Sequence, residues 1–301
     1  MMSTYLSTSS YAWADPVCKA LQMAGAALEP AERDQWVFST SNGVVVGGTA
    51  RLREEWFLMQ AACPEPIRKA LEANPDGAWA LLARNAALRG GVRYGMNGSG
   101  QPMLLAELPL GRGLDLQGLI SRALEGVRQA WHEPPDLTPT DPPEADPAPA
   151  PDWAALCAEA GWACAPRGTG DVAIDVGYGH GAGRVLLTKP PHLRARLTFG
   201  GPKTAEQASQ TAMGRLLMQA SGLIRLVRPV TTADGLPAFE YRWDTAPEPF
   251  LLGHVLEALS VAAQLCGGPL RALADARAAA AYLLHRGCSS LSIRSQPANL
   301  A

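Results

Sequence analysis

The chain has 301 residues, of which 47% are hydrophobic and 18% charged, with a formal net charge of -2 and a pI near 6.2. That supplies apolar material for two ordinary cores, and it excludes the concentrated basic character that draws a chain to nucleic acid or to an anionic membrane. Residues 1–10 lack the basic start and apolar stretch of a secretory leader, and no run of about 18 to 20 apolar residues occurs, so a cytoplasmic location is expected.

In chain order, Pro16 to Leu28 reads as an opening helix, with Val17, Ala20, Leu21 and Ala24 at three- and four-residue spacing. Three β-rich runs follow, Trp36 to Ser39, Val44 to Val46 and Glu55 to Ala62, the first two joined across Ser41-Asn42-Gly43. A middle helix is expected from Asp76 to Leu88. A strand hairpin comes next, Val92 to Met96 and Met103 to Leu108 across Asn97-Gly98-Ser99-Gly100. A last helix starts behind Asp115 as N-cap and places Leu116, Leu119, Ile120, Ala123, Leu124, Val127 and Trp131 on one stripe.

From Glu133 to Pro151 the chain carries eight prolines and five acidic residues with no basic one. Proline removes backbone donors and like charges repel, so this segment reads as an extended, solvated spacer. Beyond it the pattern returns. Trp153 to Ala160 is a helix with Asp152 as N-cap, and Val172 to Val176, Arg184 to Thr188 and Leu193 to Phe199 form a strand meander. Thr204 to Leu217 is the middle helix, Ile224 to Val230 and Ala238 to Trp243 the hairpin, and the last helix carries Leu252, Val255, Leu256, Leu259, Ala262, Ala263 and Cys266. An additional alanine-rich helix, Pro269 to Arg286, has no counterpart in the first copy.

The two copies match at a constant offset of 135 residues, with twelve identities between positions 81 and 130. Leu81, Leu82, Leu88, Val92 and Arg93 fall on Leu216, Leu217, Leu223, Val227 and Arg228. Gly100 and Pro102 fall on Gly235 and Pro237. The expected architecture is α+β: two tandem α-β-β-β-α-β-β-α units, each an antiparallel sheet with packed helices, over residues 1–132 and 152–288, with the linker at 133–151 and a tail at 289–301.

No catalytic constellation stands out. The stretch Gly177 to Gly183 is glycine-rich, but a phosphate-cradling loop must open a helix, and Arg184 to Thr188 reads as another strand. It is expected to be a hairpin loop. Of the five histidines, only His180 and His192 are near one another, and the six cysteines (Cys18, Cys63, Cys157, Cys164, Cys266, Cys288) lack zinc-ligand spacing. No metal, cofactor or disulfide is expected. Arg194/Arg196 and Arg225/Arg228 alternate with apolar residues as on half-exposed strands and are candidates for locally basic faces. Trp13, Trp36, Phe38, Trp56 and Phe57 fit either core packing or an aromatic patch that anchors a partner.

The element order, together with Leu81-Leu82-Ala83-Arg84-Asn85 through Ala106-Glu107-Leu108-Pro109-Leu110, resembles the type III secretion chaperone fold, with the YbjN-like family as a related alternative. The second copy departs from the pattern, with Ala220 in place of Asn85 and Asp244-Thr245 in place of Pro109-Leu110. The resemblance implies small acidic homodimers, paired through their middle helix, that hold a secretion substrate's segment extended over their surface. Carried to this chain, it implies a monomer acting as a pseudo-dimer, with Trp79, Leu82, Met213 and Leu217 between the halves. Trp13, Trp36, Phe38 and Trp56 would then face a protein partner, with no nucleic acid or membrane involved. A scaffold binding a folded partner and an enzyme using the Gly177 to Gly183 loop are the alternatives.

Overall fold

The structure is a computed structural model that describes residues 9–32, 34–41, 45–74, 77–97, 100–111, 113–132, 150–168, 170–177, 179–189, 193–200 and 207–285. Almost all of the expected linker, the Asn42-Gly43 and Gly98-Ser99 turn positions, His192, Cys288 and the expected tail lie outside the described residues.

The first half runs α1 (Ser9–Met23), β1 (Ala26–Glu32), β2 (Gln35–Ser41), β3 (Val45–Arg53), β4 (Trp56–Ala62), α2 (Glu65–Ala73), α3 (Gly77–Asn85), β5 (Arg93–Met96), β6 (Pro102–Pro109) and α4 (Leu116–His132). The second runs α5 (Trp153–Glu159), β7 (Ala165–Arg167), β8 (Asp171–Val176), β9 (Gly183–Thr188), β10 (Arg194–Thr198), α6 (Gln207–Ala220), β11 (Arg228–Thr231), β12 (Pro237–Arg242), α7 (Pro249–Leu273) and α8 (Ala276–His285). Each half holds one six-stranded antiparallel sheet, ordered β1-β2-β3-β4-β6-β5 in the first and β7-β8-β9-β10-β12-β11 in the second. The two orders are the same.

The sheets also share their register. Arg93 lies opposite Leu105, and Arg228 opposite Glu240, so both members of the pair are shifted by 135. Further across, Trp36 lies opposite Ala50 and Val172 opposite Leu187, shifts of 136 and 137. The repeat thus reaches strands whose sequences share almost no identities. Strand pairing conserves the alternation of inward and outward side chains, and side-chain identity is free to drift.

Three expectations need correction. Each sheet has a sixth strand, β1 or β7, that the three-strand meander omitted. Both are outermost, and most of β1 and all of β7 are exposed, so neither carries the apolar alternation by which a strand is recognised. The helix α2 was also missed. It buries only Ile67 fully and shows solvent Glu65, Arg68, Lys69 and Glu72, tied by Lys69–Glu65 at 2.9 Å and Arg68–Glu72 at 3.1 Å.

Third, prolines misplaced two helix ends. The helix α1 continues N-terminal of Pro16 and ends at Met23, so that Ala26 to Leu28, expected in this helix, belong to β1, and α7 runs through Pro269 to Leu273. An interior proline loses one backbone bond, and around Pro269 the burial of Cys266, Leu270 and Leu273 offsets that loss. The break comes at Asp275, whose carboxylate accepts from Arg277 N and Ala278 N at 3.0 Å to cap α8. Asp152 caps α5 in the same way, accepting from Ala154 N and Ala155 N at 3.1 Å.

By length and hydropathy alone α7 could cross a membrane. Here Leu251, Leu252, Val255, Leu256, Leu259, Ala262, Ala263 and Cys266 are buried, and α7 packs on β8, β9, β10 and β12, which is the packing of a core helix. In the first half the core lies between the sheet and helices α1 and α4, with Phe38, Phe57, Leu104, Ala106, Ile120 and Leu124 fully buried.

Candidate partner-binding surface

The two halves meet through α3 and α6, and each helix also packs on the innermost strand of the other half, α3 on β11 and α6 on β5. At the helix crossing Gly214 faces the backbone of Trp79, where an added Cβ would stand 2.7 Å from Trp79 N. Leu82, Met213 and Leu217 are fully buried, and Trp79 is half-buried against the core.

Matched arginines from the two copies reach across this seam. The Arg93 guanidinium is fully buried, donating to Ser221 O and Ile224 O at 3.0 Å and to the Glu107 carboxylate at 2.5 Å. Arg228, 3% exposed, donates to Leu88 O. Each arginine therefore caps carbonyls just beyond the C-terminal end of the other half's central helix, where unpaired acceptors and the helix dipole favour a cation. Glu107 also accepts from Leu226 N at 3.2 Å, bracing a buried leucine whose φ is +70°. Asn85 completes the seam. It accepts from Tyr94 N at 2.6 Å and donates to Pro229 O at 2.9 Å. Its counterpart Ala220 cannot do this, and the neighbouring Ser221 reaches Tyr94 O instead, at 3.4 Å. The halves are related but unequal.

The four aromatic candidates do not assemble into one exposed patch. Phe38 is fully buried, so it packs the core and presents nothing to a partner. The Trp56 ring is engaged by the second half, with Arg225 5.0 Å above it and His254 5.4 Å away in a T-shaped contact. Trp13 and Trp36 are half-buried against the first core. Beside Trp56 a depression of about 410 Å³ is lined by Glu159, Phe250, His254 and Glu257.

The outward face of the second sheet carries charge where the inward face carries Val185, Leu187, Ala195 and Leu197. Arg194 stands opposite Arg242, Arg196 opposite Glu240, and Glu240 opposite Arg228. Both Glu240 oxygens are taken, Oε2 by Arg196 at 2.6 Å and Oε1 by Arg228 at 3.2 Å. Arg228 is therefore not the outward basic residue its alternation suggested: it is buried and spent within the fold. Burial alone would raise the Glu240 carboxyl, but Arg228, Arg196 and Arg194 outweigh it and hold the group below its ordinary value of 4.5.

A folded-state value below the unfolded one means that the unfolded chain takes up the proton first. The stability from ionised Glu240 is therefore full above about pH 4.5 and lost as pH falls through the depressed value. Urea unfolding of wild type should weaken on acidification below that point, and Glu240→Gln should be less stable at neutral pH with a flatter acid limb. Equal acid limbs would refute this account of the cluster.

The glycine loop packs against α7. Gly177 N donates to Ser260 Oγ at 3.2 Å, and a Cβ on Gly181 would stand 2.7 Å from Gln264 Cα. The loop leads into strand β9, so its glycines answer to close approach. Burial pushes the thiols of Cys63, Cys157 and Cys266 up to about 12, which keeps them protonated. Among the described residues no three His, Cys, Asp or Glu side chains are placed to hold a metal ion. His192 and the side chain of His180 lie outside the described residues.

Compared with known proteins, the chain matches no family model, no curated protein and no solved structure.

Proposed function

We propose that this chain is a non-enzymatic binding protein of the type III secretion chaperone kind, which holds an extended segment of a partner protein. One observation carries the reading. Two sheets of identical order are joined through their central helices and innermost strands, and this leaves β1 and β7 as outermost strands with one paired side each. An outermost strand offers unpaired backbone donors and acceptors to an incoming strand, and the flanking sheet face offers pockets for alternate side chains. Pro30 on β1 and Pro166 on β7 limit the length of such pairing, which suits a short, reversible contact. A single chain with unequal halves presents an asymmetric ligand with two different surfaces, which a symmetric dimer cannot do.

The test is binding of a carboxymethylated, permanently unfolded polypeptide and of the same polypeptide in its folded form, with hydrogen exchange read across β1, β7 and the sheet faces. Binding of the unfolded form, with slowed exchange at an outermost strand or sheet face, is expected. Exclusive binding of the folded form would favour the scaffold reading and reject this one.

A further inference from the structure

We propose that the outward face of the second sheet, along strand β10, seats an acidic, extended polypeptide segment, with its carboxylates on Arg194 and Arg196. This rests on the reading above, that an extended segment is held, and it names that segment's chemistry.

On this face Arg184 is paired with Asp175 at 2.7 Å, and positive charge exceeds negative around β10 and β12. A single carboxylate, Glu240, stands among Arg194, Arg196, Arg228 and Arg242, and both of its oxygens are occupied by Arg196 and Arg228. Asp171 and Asp244 stand at the margins, each accepting a backbone N–H, from Lys189 at 3.2 Å and Gly90 at 3.2 Å. Arg194 makes no side-chain hydrogen bond or ion pair among the described residues, and its Nε is buried without an acceptor. The Arg194 guanidinium is pushed down, by burial first and then by Arg196. The helices α5 and α7 pack on the apolar side of β8, β9 and β10, and Arg194 and Arg196 on β10 stay partly exposed on the other side, whereas Glu240 and Arg228 toward β11, on which α3 packs, are buried.

Spacing selects an extended chain over a point anion. Arg194 and Arg196 are two residues apart on β10, so they project from one face about 6.7 Å apart. Alternate side chains of an extended peptide repeat at the same interval, so carboxylates at i and i+2 come into register with both. The planar Arg194 guanidinium can pair with a carboxylate through two parallel hydrogen bonds, whereas Nε and Nη2 of Arg196 already donate to Glu240, so Arg196 acts on the second carboxylate by its charge.

Fluorescence anisotropy on the full chain decides it, with three labelled probes: a peptide alternating Asp and Thr, its Asn and Thr counterpart, and a neutral peptide alternating Val and Thr. The acidic probe should bind more tightly than its amide counterpart and weaken as salt rises. Arg194→Glu should weaken the acidic probe by roughly tenfold or more and leave the Val and Thr probe unchanged. Arg194 makes no side-chain hydrogen bond in the described fold, but its charge helps hold Glu240 ionised, so the urea midpoint is measured for each variant and binding is compared where the variant is still folded. Arg194→Gln is a second variant of the same site, and its loss should be smaller.

Equal binding of the acidic and amide probes overturns the inference, as does an unaltered acidic affinity in Arg194→Glu. If the Val and Thr probe still binds in that case, the holding function stands without it, and if no probe binds, both fall. Acidic binding that emerges only after the five acidic residues of 133–151 are changed to Asn and Gln would make that segment the occupant, and would also overturn the inference.

Discussion

Arg93→Met should lower the unfolding free energy by about 3–5 kcal/mol, the cost of removing one partner from a buried ion pair. The Arg93 side chain is fully buried and Glu107 keeps 13% of its side-chain surface, so solvent cannot replace the lost guanidinium. Three acceptors are left behind: the Glu107 carboxylate, Ser221 O and Ile224 O. Methionine fills much of the volume, which separates the polar loss from a cavity term. Arg93→Lys should fall between the two, because an ammonium supplies charge without the planar fork. Urea unfolding followed by tryptophan fluorescence measures the effect, and a loss below about 1 kcal/mol would mean that the pair is no more than a surface bridge. Since Arg93 belongs to the first half and two of its acceptors to the second, the loss should reach the seam as well as the first core.

Gly214→Leu should part the halves. An added Cβ would stand 2.7 Å from Trp79 N and 3.0 Å from Trp79 Cα. Those are backbone atoms, so no rotamer change relieves the clash, and α3 and α6 must move apart. The wild-type chain should be a monomer by light scattering, because the α3 and α6 faces already cover one another. After proteolysis within 142–151 its two fragments should elute together. The same cut in Gly214→Leu should release fragments that elute separately, each with native-like circular dichroism. Wild-type fragments that separate freely, or Gly214→Leu fragments that stay joined, would contradict a seam organised on this crossing. A wild-type dimer would show that a second copy competes for the same helix faces.

Much of this was legible in the sequence because it is local. Helix faces such as Leu116 to Trp131 repeat at three and four residues, and the β11–β12 turn announces itself with Gly235, whose φ of +72° glycine adopts without strain. The middle helix, the hairpin and the last helix fall in both copies near where periodicity puts them. The outermost strands did not announce themselves, since a strand with both faces in solvent has no need of apolar alternation.

Arg93 and Arg228 mark the boundary between the two kinds of knowledge. As matched letters 135 apart they set the register of the repeat, and nothing in their neighbours says that both are buried. Their acceptors are backbone carbonyls, which every residue possesses and which leave no trace in composition; Ile224 O lies 131 positions from Arg93 and Leu88 O 140 from Arg228. The sequence by itself determined that there are two units, their class and their register, because these follow from short-range patterning of apolar residues. Only the tertiary structure decided which arginines are spent inside the seam and which, like Arg194, remain on a sheet face. That depends on which half's backbone arrives opposite each guanidinium.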